Sequence, residues 1–244
     1  MSRVVLLKTH VWNDKIEVFA KKIMKESLGK NMDFFVLMHN DSNIFGLVKD
    51  SLLKNNILKF TENEIKNIYP TGFYDMWLSN HWILMWFFKN NKKYDYYWCF
   101  EYDVRIVGDS SIIWCYSNND DFLYTRGNYH LETNKYFNHY CGKLIKNENK
   151  LQGSLQIARY SKKFLEYLDK CFETGENGQD ELIIYSLLNH GNFTKSSEFL
   201  SSLVKGTWTW DTACATKNRM LYERLEKMIS DMPKNTVYVM HPVK

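Results

Sequence analysis

Three short runs in the N-terminal part of the chain are apolar at nearly every position, and they constrain the fold more than any other feature. They are residues 3–9 (RVVLLKT), 33–38 (DFFVLM) and 96–100 (YYWCF). Such runs, separated by helical patterns, are typical of strands in a parallel sheet that is covered on both faces. A helix is predicted between the first two runs, over residues 13–28, ending at Gly29. The sequence therefore predicts an α/β protein with a central, mostly parallel sheet flanked by helices.

The rest of the chain continues this alternation without an obvious linker or internal repeat. The predicted helices cover residues 75–89, 161–172, 180–189 and 218–229, and the predicted strands cover residues 154–158 and 236–240. With 244 residues, of which 45% are hydrophobic, the chain can bury one substantial core. We therefore predict a single domain over residues 1–244.

Composition argues against several classes of protein. No stretch approaches the roughly 20 consecutive apolar residues of a membrane helix, so no transmembrane segment is expected. The five cysteines are an odd number without C-x-x-C spacing, which argues against disulfides and zinc and favours a cytoplasmic location. The net charge is +4 and basic residues are not clustered, so nucleic acid is not expected as a partner.

Two carboxylates, Glu101 and Asp103, directly follow the third apolar run. If the chain stays extended there, both side chains project from the same face, and two like charges at that distance favour a cation between them. Mn²⁺ or Mg²⁺ prefers carboxylate oxygens and can bridge to the phosphates of a nucleotide. The alternative is a solvated turn in which the two acids pair with Arg105 or Lys92.

Residues 98–108 (WCFEYDVRIVG) resemble the W-x-x-E-Y-D-V-x-x-x-G motif of a glycosyltransferase-like family of the GT-A type, with bacterial, fungal and large DNA virus members. In that family E-Y-D stands in for the usual D-x-D motif, so Glu101 replaces the first Asp. Four further segments resemble family segments in the same order along most of the chain. They are residues 80–89 (NHWILMWFFK), 157–165 (IARYSKKFL), 178–182 (GQDEL) and 241–244 (HPVK).

The resemblance implies a GT-A-like, Rossmann-like fold and a metal-dependent glycosyltransferase. The donor would be a nucleotide sugar bound by residues 1–110, and a glycan or glycoprotein acceptor would bind to residues 111–244. Glu101, Asp103 and His241 would hold Mn²⁺ or Mg²⁺, and Lys244 would neutralise the diphosphate. Relatives tend to carry an acidic residue after the Asn of the helix segment, whereas this chain has His81.

Other candidate donor contacts follow from the ends of predicted strands, where ligands bind in open α/β sheets. Thr9, His10 and Asp41 lie at such ends, although turn or cap chemistry explains each of them equally. Arg159 could hold a phosphate with two hydrogen bonds, although an ordinary surface Arg is commoner. The full predicted donor set is Thr9, His10, Asp41, Asn80, His81, Glu101, Tyr102, Asp103, Arg159 and Lys244.

Catalytic and acceptor contacts are predicted in the C-terminal half. Asp180 or Glu181 could be the general base that deprotonates an acceptor hydroxyl, and the sequence does not choose between them. Carboxylates at a helix start are also explained by capping and the helix dipole. Trp208 and Trp210 stand in an irregular stretch and are predicted to form a wall for the acceptor, whereas tryptophans at helical spacing belong to the core.

Two other functions fit the same sequence. A non-catalytic carbohydrate-binding protein could retain the fold, and it would bind glycans without a metal ion. A nucleotidyl or phosphoryl transferase could use the same carboxylates, although the chain has neither a G-x-x-x-x-G-K-[ST] loop nor a G-x-G-x-x-G fingerprint.

Overall fold

The computed structural model describes residues 1–40, 43–70, 79–129, 138–209 and 212–243. The helices are α1 (Asp14–Leu28), α2 (Ser51–Lys54), α3 (Glu62–Ile68), α4 (His81–Asn90), α5 (Ser111–Trp114), α6 (Lys162–Glu173), α7 (Asp180–His190), α8 (Glu198–Leu203) and α9 (Thr212–Met228). The strands are β1 (Arg3–Thr9), β2 (Asp33–His39), β3 (Ile57–Phe60), β4 (Tyr96–Glu101), β5 (Arg105–Gly108), β6 (Phe122–Leu123), β7 (Gly127–Tyr129), β8 (Gln152–Gly153), β9 (Ile157–Ser161), β10 (Lys195–Ser196) and β11 (Val237–Met240).

Within the described ranges, seven strands form the central sheet in the order β10-β6-β9-β4-β1-β2-β3. The half built from β3, β2, β1 and β4 is entirely parallel, β9 runs antiparallel to β4 and β6, and β10 is parallel to β6. The prediction of an α/β protein with a mostly parallel sheet flanked by helices is confirmed. Because the chain leaves β1 first toward β2 and later returns to β4 on the other side, the strand order reverses between β1 and β4.

Side chains of β1 alternate between two cores, which explains why its sequence is apolar throughout. Val4 and Leu6 belong to the cluster that contains α4, and Val5 and Leu7 belong to the cluster that contains α1. All four side chains have no exposed surface. Burying an aliphatic side chain of this size contributes about 1.5–3 kcal/mol, so each face of β1 stabilises one layer of helices on the sheet.

Helix α1 begins where the sequence predicts, because Asn13 caps it. The Asn13 side chain accepts a hydrogen bond of 3.0 Å from the backbone N–H of Ile16, and Gly29 follows the last helical residue. Ile16, Phe19 and Ile23 recur at helical spacing and are buried against the sheet. The helix therefore covers one face of the parallel half of the sheet.

A second, two-stranded sheet brings the end of the chain to the end of β4. Strand β11 pairs antiparallel with β5, with Met240 opposite Arg105 and Val237 opposite Gly108. Gly108 has a φ angle of 84°, and a Cβ atom there would lie 2.2 Å from the carbonyl oxygen of Thr236. Glycine is therefore required at this position for the two strands to approach. The pairing places residues 241–243 beside residues 101–104.

Most predicted elements are present, with some shifts. The predicted strand over residues 154–158 is wrong, because β9 starts and ends three residues later. The last predicted helix begins earlier, at Thr212, and the predicted helix over residues 75–89 falls partly outside the described residues. All five cysteines are free thiols. Among the helices that the structure describes, none is long and apolar enough to cross a membrane.

Candidate active site

A tight turn at the carboxyl end of β4 brings the two predicted carboxylates together. The backbone N–H of Val104 donates a hydrogen bond of 3.1 Å to the carbonyl of Glu101. The chain therefore turns at residues 101–104, whereas the sequence analysis assumed an extended segment. One carboxylate oxygen each from Glu101 and Asp103 and one ring nitrogen of His241 nevertheless lie within 4.8 Å of one another. Two acids and an imidazole at this separation could bind a divalent cation.

The turn that the alternative interpretation proposed is present, but Asp103 within it is not solvated. The Asp103 residue is only 6% exposed, and Lys92 pairs with Asp169 at 3.2 Å instead of with either acid. Arg105 donates from its guanidinium to the backbone carbonyls of Tyr102 and Val104. The hydrogen bonds of Arg105 therefore stabilise the backbone of the turn.

His241 reaches this turn because β11 delivers it there. The imidazole is 1% exposed, and its Nε2 lies 3.5 Å from Oδ1 of Asp103. The residues after it are tied down as well, since the N–H of Val243 donates to the carbonyl of Asp103 at 2.8 Å. On the other side, the buried Asn218 side chain of α9 donates to the carbonyl of His241 at 3.1 Å. The backbone on both sides of the imidazole is thus fixed by hydrogen bonds.

A buried lysine that the sequence analysis did not select lies next to Glu101. Lys8 is the partner of Glu101 across β1 and β4, and its Nζ lies 3.7 Å from Oε1 of Glu101. Lys8 donates to Oδ1 of Asn80, and Nδ2 of Asn80 donates to Oε1 of Glu101 at 2.8 Å. Burial lowers the pKa of Lys8, but the combined effect of Cys99, Glu101 and Asp180 in the opposite direction is larger. The pKa of Lys8 is therefore raised above its usual value. Lys8 therefore stays charged and balances part of the acidic charge.

Asp180 and Glu181, which we call the acid pair, lie beside this group at the start of α7. Gln179 is the N-cap of α7 and accepts a 2.9 Å hydrogen bond from the N–H of Leu182. Asp180 accepts from the N–H of Glu181 at 2.7 Å, so local capping accounts for part of the role of Asp180. Burial and then the neighbouring Glu181 raise the pKa of Asp180 well above its usual range, although Lys8 opposes this. Burial also raises the pKa of Glu181, with Glu101 adding to it, and donated hydrogen bonds only partly offset the shift.

Two glutamines that sequence reasoning missed hold Glu181. Nε2 of Gln156 donates to one carboxylate oxygen at 2.9 Å, and Nε2 of Gln152 donates to the other at 3.1 Å. Gln156 also accepts a 3.2 Å hydrogen bond from Nε1 of Trp208. The ring of Trp208 lies 5.2 Å from that of His241. The structure therefore brings the predicted acceptor residue Trp208 next to the predicted metal ligands.

Thr9, His10 and Tyr102 lie at the carboxyl ends of β1 and β4. The hydroxyl of Thr9 is occupied in a local turn, where it accepts from the N–H of Val11 at 3.2 Å and donates to the carbonyl of the same residue. The exposed His10 ring meets Tyr102 edge to face at 4.9 Å. Burial, with the neighbouring acids adding to it, raises the pKa of Tyr102 to about 12, so its hydroxyl stays protonated.

His81 and Arg159 have surroundings that differ from those predicted for donor contacts. The His81 ring packs on Trp82 and Phe172 at 4.4 and 5.1 Å, and burial followed by Lys8 lowers its pKa to about 3. His81 is therefore neutral and unsuited to pair with phosphate. Arg159 is completely buried, stacks over Tyr96 at 4.2 Å and donates to the backbone of residues 116–120. The structure does not bring Arg159 to the site.

Three predicted site residues, Asp41, Trp210 and Lys244, lie outside the described residues. The other predicted metal, catalytic and acceptor residues, together with Asn80, meet at the carboxyl ends of β1 and β4. This is the point where the strand order reverses, and it is the usual ligand position in open α/β sheets. Lys8, Gln152 and Gln156 are added to the site by the structure.

No protein-family model matches the chain, and no curated protein sequence matches it. Solved structures of similar fold include the galactosyltransferase LgtC in complex with donor and acceptor sugar analogues, with 10% identity, coverage of 98% of this chain and 86% of that chain, and a TM-score of 0.42. The bifunctional glycosyltransferase WbbM has 9% identity, coverage of 98% and 45%, and a TM-score of 0.48. A putative glucose-1-phosphate thymidylyltransferase from Bacillus anthracis, in complex with sucrose, has 9% identity, coverage of 95% and 96%, and a TM-score of 0.46. At these identities the likeness concerns the fold alone, so we base the function on residues of this chain.

Proposed function

We propose that the protein is a metal-dependent glycosyltransferase of the GT-A type. It would transfer a hexosyl or pentosyl group from a nucleotide-sugar donor to a hydroxyl group of a glycan or glycoprotein. The observation that carries this proposal is the approach of Glu101, Asp103 and His241 to within 4.8 Å at the carboxyl end of β4. A carboxylate-imidazole site at the reversal point of an α/β sheet suits a nucleotide diphosphate bound through a cation.

The residues present fit Mn²⁺ or Mg²⁺. Carboxylates suit both ions, and the imidazole adds a nitrogen ligand that favours Mn²⁺ over Mg²⁺. Glu101, Asp103 and His241 would hold the ion, which would supply Lewis-acid stabilisation of the diphosphate leaving group. Lys8 and Asn80 hold the carboxylate of Glu101 in place from the side of β1.

The acid pair is proposed to receive the proton of the acceptor hydroxyl. A general base is most effective when its pKa lies near the working pH, and burial raises the pKa of both Asp180 and Glu181 in that direction. Trp208 would provide an apolar face for the acceptor sugar next to this pair. The ring contact between His10 and Tyr102 offers a surface for the nucleotide base.

The remaining site assignments stay predictions. Asp41 and Lys244 are proposed donor contacts and Trp210 an acceptor contact, with residues 1–110 serving the donor and 111–244 the acceptor. A cytoplasmic location and the absence of nucleic acid as a partner likewise rest on sequence composition.

Two measurements test the proposal. Binding of Mn²⁺ is followed by electron paramagnetic resonance, and thermal unfolding is followed with nucleoside diphosphates and nucleotide sugars. A ligand at about 100 times its Kd stabilises the folded state by roughly 2.7 kcal/mol. We expect Mn²⁺ binding and a Mn²⁺-dependent stabilisation by one class of donor, both lost in Asp103→Asn. Glu148→Gln removes an exposed carboxylate that is not one of the proposed metal ligands. It serves as the control and is expected to change neither Mn²⁺ binding nor the stabilisation by the donor.

The products distinguish the proposal from its rivals. Donor turnover that releases a nucleoside diphosphate supports a glycosyltransferase, whereas release of pyrophosphate identifies a nucleotidyltransferase. Glycan binding that is unaffected by chelators and by Asp103→Asn identifies a non-catalytic carbohydrate-binding protein. Turnover that is unchanged in Asp103→Asn would refute the assigned metal site.

A further inference from the structure

Gln156 lies between Glu181 of the acid pair and Trp208 of the proposed acceptor wall, and its side chain contacts both. It is 2% exposed and immediately precedes β9. Its backbone carbonyl accepts from the N–H of Glu101 at 2.9 Å. Its side chain donates to Oε1 of Glu181 at 2.9 Å and accepts from Nε1 of Trp208 at 3.2 Å. Gln156 thus connects the carboxyl end of β4, through its backbone, with α7 and the loop before α9, through its side chain.

The chemistry of its two partners fixes the orientation of the Gln156 amide. The indole Nε1 of Trp208 can only donate a hydrogen bond, so the amide oxygen must face it. An ionised Glu181 carboxylate can only accept, so the amide nitrogen must face it. A buried amide with both ends satisfied is also costly to replace, since each partner would lose its hydrogen bond.

Gln152 completes the arrangement around Glu181. Its amide donates to Oε2 of the carboxylate at 3.1 Å, and Gln152 is fixed in β8, which pairs with β7. Both carboxylate oxygens of Glu181 are therefore held by side-chain amide donors. Of these two glutamines, Gln156 is the one whose described hydrogen bonds also include Trp208, so it links the acid and the indole.

We propose that Gln156 is a positioning residue, which fixes the carboxylate of Glu181 and the indole of Trp208 relative to each other at the end of β4. This inference rests on the proposed function, because the acid pair and Trp208 are its proton acceptor and its acceptor wall. Positioning of a reacting group within a fraction of an ångström is what makes such a contact matter for turnover.

Two substitutions separate the two contacts. Gln156→Glu keeps an oxygen for Trp208 but replaces the amide donor with a second carboxyl group, which repels the carboxylate of Glu181 when ionised. Gln156→Met removes both contacts with little change in volume. Asn63→Asp makes the same amide-to-acid change at an exposed position of α3 and serves as the control. Turnover is measured as Mn²⁺-dependent hydrolysis of the nucleotide sugar that the wild-type protein accepts, so that no acceptor has to be known.

We expect Gln156→Glu to lower kcat by about 10- to 100-fold, the rate equivalent of losing one hydrogen bond to a charged group. The donor KM and the Mn²⁺ affinity should stay within about twofold of wild type, because Gln156 contacts the proposed metal ligand Glu101 through its backbone carbonyl, which the substitution leaves in place. A loss that arose from poor folding alone would instead lower Mn²⁺ binding and turnover by the same factor.

A second readout does not depend on activity. The indole N–H signal of Trp208 is assigned by nuclear magnetic resonance from its absence in Trp208→Phe. It should keep its hydrogen-bonded position in Gln156→Glu and move upfield, with faster hydrogen exchange, in Gln156→Met. The inference is overturned if the chemical shift and the hydrogen exchange of the indole N–H are the same in both variants as in wild type. It is also overturned if Gln156→Glu has the kcat of wild type. Absence of donor turnover by the wild-type protein would overturn the proposed function, and with it the inference.

Discussion

Asn218 is the residue through which α9 holds the proposed metal ligand His241, so its replacement should weaken the fold and the metal site together. The side chain is 2% exposed. Its Nδ2 donates to the carbonyls of Thr207, His241 and Pro242 at 2.8, 3.1 and 3.2 Å, and its Oδ1 accepts from the N–H of Thr207 at 3.1 Å. Asn218→Leu keeps the branched shape of the side chain, with the same number of non-hydrogen atoms, and removes all of these hydrogen bonds.

The expected magnitude follows from the number of hydrogen atoms. An amide nitrogen carries two hydrogens, so its three contacts amount to two full hydrogen bonds, and Oδ1 adds a third. At about 1 kcal/mol each, the free energy of unfolding should fall by about 3 kcal/mol. For a chain of this length that corresponds to a fall in Tm of roughly 6–12 °C.

Urea unfolding followed by circular dichroism measures the stability, and electron paramagnetic resonance measures Mn²⁺ binding. We expect the Mn²⁺ affinity of Asn218→Leu to fall as well, by about 10- to 100-fold, as is typical when a group that orients a metal ligand is lost. Thr216→Leu introduces the same residue at an exposed position of α9 and is the control. If Asn218→Leu and Thr216→Leu unfolded at the same urea concentration and bound Mn²⁺ equally, the assigned role of Asn218 would be refuted.

Three further changes are expected to give distinct outcomes. Asp180→Asn should lower donor turnover at least about 10²-fold. Burial and Glu181 raise the pKa of Asp180 in the folded state, so the wild-type protein loses stability as the pH rises through that pKa, whereas the variant does not. Urea unfolding should therefore show that the variant becomes more stable relative to wild type from acid to neutral pH. Asp169→Asn should have the opposite pH dependence. Burial raises the pKa of Asp169, but hydrogen bonds from Lys89, Tyr69 and Lys92 lower it more. The free energy of unfolding of the variant should therefore be about 2 kcal/mol lower than that of wild type at neutral pH, and this difference should vanish below the folded-state pKa of Asp169. Arg159→Lys should lower the Tm, because it loses the stacking on Tyr96, while the donor KM stays unchanged; a raised donor KM would return Arg159 to the donor site.

The parallel half of the sheet could be predicted from the sequence because its strands bury both faces. The runs that became β1, β2 and β4 are apolar throughout, and Asn13 and Gly29 bracket α1 with ordinary cap chemistry. Strand β9 was misplaced because it contains Arg159, whose burial depends on stacking over Tyr96 and on carbonyls of a loop elsewhere in the chain. No local pattern shows such a partner.

The candidate site divides in the same way. The carboxylates at the end of β4 and the acid pair stand out in the sequence because they interrupt apolar or helical patterns. Gln152 and Gln156 do not stand out, since β9 runs antiparallel and the residues before it, not after it, face the site. Lys8 did give a signal that could have been used, because a lysine in a run buried on both faces needs a buried acidic partner.

The pairing of β5 with β11 also bears on the order in which the protein folds. Strand β1 pairs with β2 and β4, which are closer to it along the chain than β11 is to β5. The pairing of β5 with β11 closes a loop that contains nearly all of the second half of the chain. Contacts that close long loops form late, because the loss of chain entropy precedes the gain. Asp103 and His241 meet only through this pairing, so the ability to bind Mn²⁺ should mature after the parallel sheet. A stopped-flow experiment that follows Mn²⁺ uptake during refolding would therefore time the last step of assembly.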